Sequence, residues 1–561
     1  MSKGNRGRSI TVLLGVAALL ASLLAGPAIA RNGKGSGAGN SQEVQLQILA
    51  INDFHGNINS FSSSFGNSGG AQNLATNIRA REAEVRNSIV VSAGDLIGAS
   101  PLISALFHDE PTIEAMNLIG LDINGVGNHE FDEGPTELIR MSEGGSHPVD
   151  GDLDGDPFLG ADFDFLAANV VVDDTGNTLF PPYTIRNYQG VRVAFIGLTL
   201  EGTPTIVTPS GVEGLTFNDE VETVNAIIPH LQSRNVEAFV VLLHEGGSSP
   251  GGQNDCDGGL TGPVADITRG LDDAVDLVIA GHTNDEFICE IDGKWVTMAD
   301  NAGRIFTDID VTLNRVTKDL TVQNIENVNN LQSAPDAPDL VELIDKYDTL
   351  SAPLANAVIG TITADILRAN NTAGESALGD VIADAQLAAT SSPETGNAVI
   401  AFMNPGGIRN DLLVAPSGSE GPGQVTYGEA FSVQPFGNSL VTMTLTGAQI
   451  DTLLEQAWPD NDDPSILQVS NGFSFTWSAS AANGERVDPS TIMLNGQVID
   501  PNGSYRVTVN SFLADGGDSF TVLTEGTDRL GGEVDLDALV TYFEQNSPIA
   551  PGLQDRITMV P

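Results

Sequence analysis

A layered α/β fold joined to a second, mixed unit is the architecture that this chain of 561 residues predicts. Two observations carry the prediction. Short apolar runs alternate with stretches of helical spacing through the first three hundred or so residues, the pattern of strands and helices stacked in layers. That alternation stops at a proline-punctuated segment, "SAPDAPDL" (Ser333–Leu340), beyond which the elements follow a different order. The length argues for about two to four domains with ample core.

The elements follow in order. Lys3, Arg6 and Arg8 precede an apolar stretch from Ile10 to Ala25, and Ala28, Ile29 and Ala30 fit a small-x-small cleavage site. Residues 1–30 are therefore read as a secretory signal peptide, the apolar run being short for a membrane span. Residues 31–42, "RNGKGSGAGNSQ", read as a flexible leader. Strands are expected at Val44–Asn52, Ser88–Ser92, Asp122–Val126, Val191–Thr199, Val236–Leu243 and Ala274–Ala280, with helices at Gln72–Val85 and Glu220–Gln232. These make a first domain over residues 43–335. Within it, "DGDLDGDPF" (Asp150–Phe158) is acidic and Gly-rich, lacks the closing Glu of an EF-hand, and is expected to be a solvated insertion. Residues 336–360 read as a connector and hinge helix, broken at Pro353. Residues 361–561 form the second domain, helical at "ALGDVIADAQLAAT" and with strands around "SLVTMTLTG", "FSFTWSA" and "YRVTVNSF".

Seventy-four acidic residues against 24 basic ones give a net charge of −50. Such a surface repels nucleic acid, which needs basic patches, and anionic membranes. No later segment is apolar enough to cross a bilayer, and no C-terminal anchor signal is visible, so an exported protein, periplasmic or secreted, is expected. Cys256 and Cys289 are the only cysteines. In an exported chain that pair suggests a disulfide, two buried thiols being the alternative.

The chemistry lies where the strands end. Asp53 and His55 follow the first strand two residues apart, and alternate side chains of an extended chain point the same way. Asp95 follows the second strand, and Asn128, His129 and Asp132 the third. His244 comes after "AFVVLL", and His282, Thr283 and Asn284 come after "DLVIAG". Open α/β sheets place their sites beyond the carboxyl ends of strands. Four of the seven histidines thus fall on one rim, whereas His108, His147 and His230 sit in helical or loop contexts and read as ordinary surface or packing residues. A mixed Asp/His/Asn set without Cys suits borderline divalent metals. There are ligands enough for two ions, with Asp95 suited to bridge them, and such a pair acts on phosphoryl groups.

"NDFHGN", "AGDLIGASP", "GNHEFDEG", "LLHEGG" and "AGHTND" resemble the calcineurin-like metallophosphoesterases. "GGIRND", "PFGN" and "NSFLADGGDSF" narrow the resemblance to the bacterial 5′-nucleotidase family. The resemblance covers nearly all of the mature chain. It implies a four-layer α/β/β/α first domain, the connector helix, and an α+β nucleotide-binding domain. It implies two divalent ions, Zn, Mn or Co: one on Asp53, His55, Asp95 and Asn284, the other on Asp95, Asn128, His244 and His282. His129 would lie beside the substrate phosphate, with Asp132 orienting its ring. Phe436 and Phe512 match the aromatics that sandwich the base, Asp518 the ribose-binding carboxylate, Asn404 a base contact and Arg409 a phosphate-binding arginine. Arg368 falls at a family arginine position by its spacing to "ALGD". Asn284 departs from the commoner "GHTH" pattern, which makes one ion a weaker-held one.

The resemblance implies hydrolysis of nucleoside 5′-monophosphates to nucleoside and phosphate. Its alternatives are hydrolysis of nucleoside diphosphates, UDP-sugars, NAD or 2′,3′-cyclic nucleotides at the same site, or an exported nucleotide-binding protein without turnover. Nucleotides are the expected partners, and neither nucleic acid nor a membrane is; the sequence does not set the oligomeric state.

Overall fold

A computed structural model describes residues 42–59, 68–207, 211–458 and 464–561. The signal peptide and all but the last residue of the leader lie outside them. Two six-stranded sheets organise the first half. In one, Glu43–Ile51 sits centrally, antiparallel to Ile305–Asn314 and parallel to Ser88–Ser92, and the order continues through Ile123–Gly125 to Asp164–Leu166. In the other, Leu277–Ala280 is parallel to Ala238–His244, which is parallel to Val191–Thr199.

Sequence pattern explains how these sheets stack. Leu46, Ile48 and Ala50 join Val193, Phe195, Val240, Leu242 and Ile279 in a core between the sheets. Leu49 and Ile51, on the opposite face of the same strand, pack beneath Ala71–Glu82, Glu110–Ile119 and Pro338–Ala355. The outer face of the second sheet is covered by Glu220–Ser233 and Pro263–Gly270. Strands buried on both faces read as continuous apolar runs, and the result is four layers, α/β/β/α.

The second half holds a five-stranded sheet, ordered Gln468–Val469, Ile400–Met403, Ser504–Asn510, Ser439–Thr446, Thr527–Val534, and a four-stranded one. Helices Ala377–Thr390 and Asp535–Asn546 pack against each other beside the larger sheet.

Two expectations are corrected. The connector is not broken at Pro353: helix Pro338–Ala355 runs through it. Proline removes one N–H and one bond to the preceding turn, a small loss two residues before the helix ends. The acidic insertion is not wholly solvated. The Asp154 side chain is 1% exposed, accepting from Lys346 Nζ at 2.6 Å and from the Tyr347 hydroxyl at 2.8 Å. Tyr347 is itself fully buried, edge-on to Phe107. Cys256 and Cys289 form a disulfide with Cα atoms 5.1 Å apart. Among the described residues no helix is long and apolar enough to cross a membrane.

Candidate metal centre and substrate cavity

The rim expected from the strand ends forms where the two sheets meet. Asp53, His55, Asp95 and Asn128 come from the first sheet, and His244, His282 and Asn284 from the second. Asp95 stands at the middle. Its Oδ2 is 3.0 Å from His244 Nε2 and 3.7 Å from His55 Nε2, and its Oδ1 accepts the His129 N–H at 2.9 Å. Asn128 Oδ1 lies 3.1 Å from His244 Nε2 and 3.0 Å from His282 Nδ1. Two groups with metal-ligating atoms mutually within 4.8 Å emerge, His55/Asp95/His129 and Asp95/His244/His282, and Asp95 belongs to both.

The backbone bends to present these groups. Asp53, His55, Asp95, His282 and Asn284 all have positive φ, between 46° and 78°. That conformation is costly for non-glycine residues and concentrates at functional sites. Glycines make room: a Cβ on Gly127 would lie 2.2 Å from Asp95 Oδ1, and one on Gly281 2.9 Å from His244 Nδ1.

Carbonyls fix the imidazole tautomers. His55 Nδ1 donates to Gly98 O at 2.9 Å and His244 Nδ1 to Ala93 O at 2.7 Å, so each turns Nε2 toward the centre. His244 Nε2 there faces only oxygens, Asp95 Oδ2 and Asn128 Oδ1. Such a position calls for a proton or a cation. Against the cost of burial, Asp95 lifts His244 to about 10, while burial pushes Asp53 up to about 7. His55 and His282 are driven the other way by burial, to about 3 and about 4, which leaves their lone pairs free. Asn284 Oδ1 is buried with no hydrogen-bond partner. Buried carboxylates and neutral imidazoles at this centre, with the orphaned amide oxygen of Asn284 two residues beyond His282, fit divalent cations.

His129 borders this centre. Its Nδ1 is 2.8 Å from Asp132 Oδ2, and although burial opposes it, Asp132 and Asp95 raise its pKa. A cavity of about 280 Å³ opens from here. One wall carries Asn128, His129, Asp132 and His282; the other carries Asn404, Arg409, Phe436, Phe512 and Asp518. The Phe436 ring stacks 5.8 Å from that of His129 at 17°, and the Arg409 guanidinium lies 5.7 Å from the Phe436 ring centroid. Asn404 Nδ2 donates to Asp518 Oδ2 at 2.8 Å. Arg368 is not on the cavity wall. Its guanidinium donates to the carbonyls of Ile408 and Arg409, bracing the Arg409 loop.

Sequence reasoning missed several residues here. Glu130, inside "GNHEFDEG", is 2% exposed and accepts the backbone N–H groups of Asp95, Leu96 and Gly127. One carboxylate thus clamps two ligand-bearing loops. Asn52 plays a similar part, donating to Asp53 Oδ2 and accepting the Ala299 N–H. Asn438, Asn510, Ile206 and Val207 complete the cavity. An acid beside a catalytic-looking histidine is the one signal that pointed to any of them.

A four-layer fold carrying this Asp/His/Asn rim defines a calcineurin-like phosphoesterase, and the chain matches that family over residues 46–285. It matches the 5′-nucleotidase C-terminal domain over residues 358–525. It is 33% identical over 532 residues to the endonuclease YhcR of Bacillus subtilis, covering 92% of this chain and 41% of that protein. It is 30% identical over 537 residues to the cell wall protein Lmo0130 of Listeria monocytogenes, covering 89% and 67%. The crystal structure of a 5′-nucleotidase precursor from Thermus thermophilus superposes with a TM-score of 0.74 at 26% identity, over 92% of this chain and 99% of that one. The chain belongs to the 5′-nucleotidase family, in which a calcineurin-like phosphoesterase domain precedes a 5′-nucleotidase C-terminal domain. It spans about two fifths of the length of YhcR and two thirds of that of Lmo0130.

Proposed function

We propose that this chain is an exported 5′-nucleotidase that hydrolyses nucleoside 5′-monophosphates to nucleoside and phosphate with two divalent ions, Zn, Mn or Co. One observation carries the reading: a single cavity has the candidate metal centre on one wall and two phenylalanines with an amide, a carboxylate and a guanidinium on the other. That wall suits a base, a ribose and a phosphate in turn. The name of the Thermus neighbour supports the substrate class, and that of Lmo0130 supports export. The endonuclease name belongs to a protein of which this chain spans 41%, and a net charge of −50 opposes a polyanionic substrate. The domain division proposed is 43–335, a connector at 336–360, and 361–561. Because Tyr347 is locked into the first core, the pivot falls after it, toward Asn356.

Asp53, His55, Asp95 and Asn284 would hold one ion, and Asp95, Asn128, His244 and His282 the other. Such ions, when bound, supply Lewis-acid polarisation of a phosphoryl group and activation of water. The chain's own residues do the rest. Asp132 engages His129 Nδ1 and leaves Nε2 for a phosphoryl oxygen, where the ring stabilises charge as the ester bond breaks. Arg409 offers a planar fork to the phosphate oxygens. Phe436 and Phe512 hold the base, and Asp518, oriented by Asn404, accepts from the ribose hydroxyls.

The test is a substrate panel on chelator-stripped protein reloaded with Zn, Mn or Co: AMP, GMP, UMP, ADP, UDP-glucose, NAD and cyclic nucleotides, with all products identified. Nucleoside and phosphate should form fastest from the monophosphates. His129→Ala should lower kcat by about 10²–10⁴ with metal content unchanged. Binding without turnover would leave a nucleotide-binding protein, and preference for a diphosphate or a cyclic ester would move the substrate class.

A further inference from the structure

Two histidines that read as ordinary surface residues in the sequence meet in the folded chain. The His108 and His147 rings stack with centroids 3.7 Å apart and planes 16° from parallel. Together with Glu133 and Glu137 they place one ligating atom each within 4.8 Å of all the others. Asp150, from the acidic insertion, adds a third carboxylate, 3.0 Å from His108 Nε2 and 3.4 Å from His147 Nδ1. His108 Nδ1 lies 2.8 Å from Glu133 Oε2. The residues come from four separate segments: the turn before helix Glu110–Ile119, the turn after His129–Phe131, helix Pro135–Glu143, and the insertion beyond it.

We propose that His108, Glu133, Glu137 and His147 form a third divalent-cation site of zinc type, separate from the candidate dinuclear centre. Two imidazoles with carboxylates and no thiolate suit Zn or Co over Mg or Ca. The charges fit as well. Glu133, Glu137 and Asp150 bring three negative charges, and because the Glu133 hydrogen bond lifts His108 to about 9, the ion binds in exchange for the His108 proton. Arg140, which bonds both Glu137 and Glu110, offsets part of the charge on Glu137. Glu137 has lone pairs to spare beyond its bonds to Arg140. With metal–ligand bonds of about 2.0–2.1 Å, tetrahedral donors stand about 3.3 Å apart, so the side chains must close from within 4.8 Å and the stacked rings must turn a nitrogen each toward the ion. His108 has φ of 51° and Asp109 60°, a bend that turns this segment toward the cluster.

Its place in the fold gives the ion a task. Glu133 directly follows Asp132, which holds the His129 ring. A second cavity of about 90 Å³ is lined by His108, Glu133 and Glu137 at one end and by His129, Asp132 and Phe436 at the other. An ion here pins the insertion and the turn carrying Asp132 to the same point. This binding claim does not depend on the substrate assigned above.

Metal content decides it. The full chain, saturated with Zn²⁺ and dialysed, should hold one more zinc per molecule than the His108→Ala/His147→Ala variant, by elemental mass spectrometry. Anomalous diffraction at the zinc edge should show a peak among the ligating atoms of His108, Glu133, Glu137 and His147. Glu133→Gln, at an exposed position, guards against misfolding of the double variant. It should weaken zinc at this site by about 10–100-fold, as judged from the loss of a protein-side partner, and leave the other equivalents unchanged. Equal zinc content in wild type and double variant, unchanged affinity in Glu133→Gln, or no peak at the four-residue cluster would each overturn the proposal.

Discussion

Glu130 is a buried acid whose oxygens accept from three backbone amides and from the Asn124 side chain. Glutamine at this position keeps one acceptor and turns an NH₂ toward N–H donors, leaving at least one unsatisfied at about 1–3 kcal/mol. Glu130→Gln should therefore lower stability to urea by that amount and speed the loss of bound metal on dialysis, because the Asp95 and Gly127 loops are both released. Normal stability and normal metal retention would show that the clamp is redundant. Asp276 poses the opposite problem. Its carboxyl accepts the Phe239 N–H at 2.9 Å, and burial, helped by nearby Asp319, pushes it up to about 8 from the ordinary 3.8. The folded state then keeps a proton that the unfolded chain has released, so between pH 4 and 8 this residue makes stability fall as pH rises. Asp276→Asn keeps the acceptor and removes the titration. The variant should melt higher than wild type at pH 8, with the difference closing toward pH 4; a gap that does not change with pH would disprove the linkage.

Among the elements, helix Pro338–Ala355 shows how packing outranks local preference. Proline and Gly-rich acid sequence suggest a break and a solvated loop, yet Leu340, Leu343, Ile344 and Tyr347 give the helix a buried face in the first core. Apolar burial along about two turns outweighs one absent hydrogen bond near the end. The insertion is drawn in by the same helix. The Asp154 carboxylate binds both Lys346 and the hydroxyl of buried Tyr347. Asp154→Ala should cost about 1–3 kcal/mol, the worth of charged hydrogen bonds, read as a lower urea midpoint, with the slope unchanged. A loss below a few tenths would mean that Glu114, which also meets the Tyr347 hydroxyl at 3.0 Å, suffices alone.

For the molecule as a whole, the cavity divides the labour. The candidate metal ligands lie between residues 53 and 284, and the proposed base, sugar and phosphate contacts between 404 and 518. Phe436 nevertheless touches His129 across that divide. Replacing both Phe436 and Phe512 by alanine should weaken nucleotide binding by about 1–3 kcal/mol per stacked face, while hydrolysis of a simple aryl phosphate changes far less. Equal losses on both substrates would mean that the rings organise the metal side rather than hold a base.

The candidate rim was legible in the sequence. Asp53, His55, Asp95, Asn128, His244 and His282 each fall at, or within four residues of, the end of an apolar strand, and strand ends are local signals. Cys256 and Cys289 were legible by count. Local pattern cannot carry that Asp53 receives the N–H of His282 from 229 residues away, or that Glu130 faces inward to clamp two loops. Nor does it carry that the Arg368 guanidinium reaches the Ile408 carbonyl, or that His108 and His147 stack. Periodicity reports which face of an element is buried. It does not report which distant element lies against that face, and pairings of this kind are fixed only when the sheets close over a shared core.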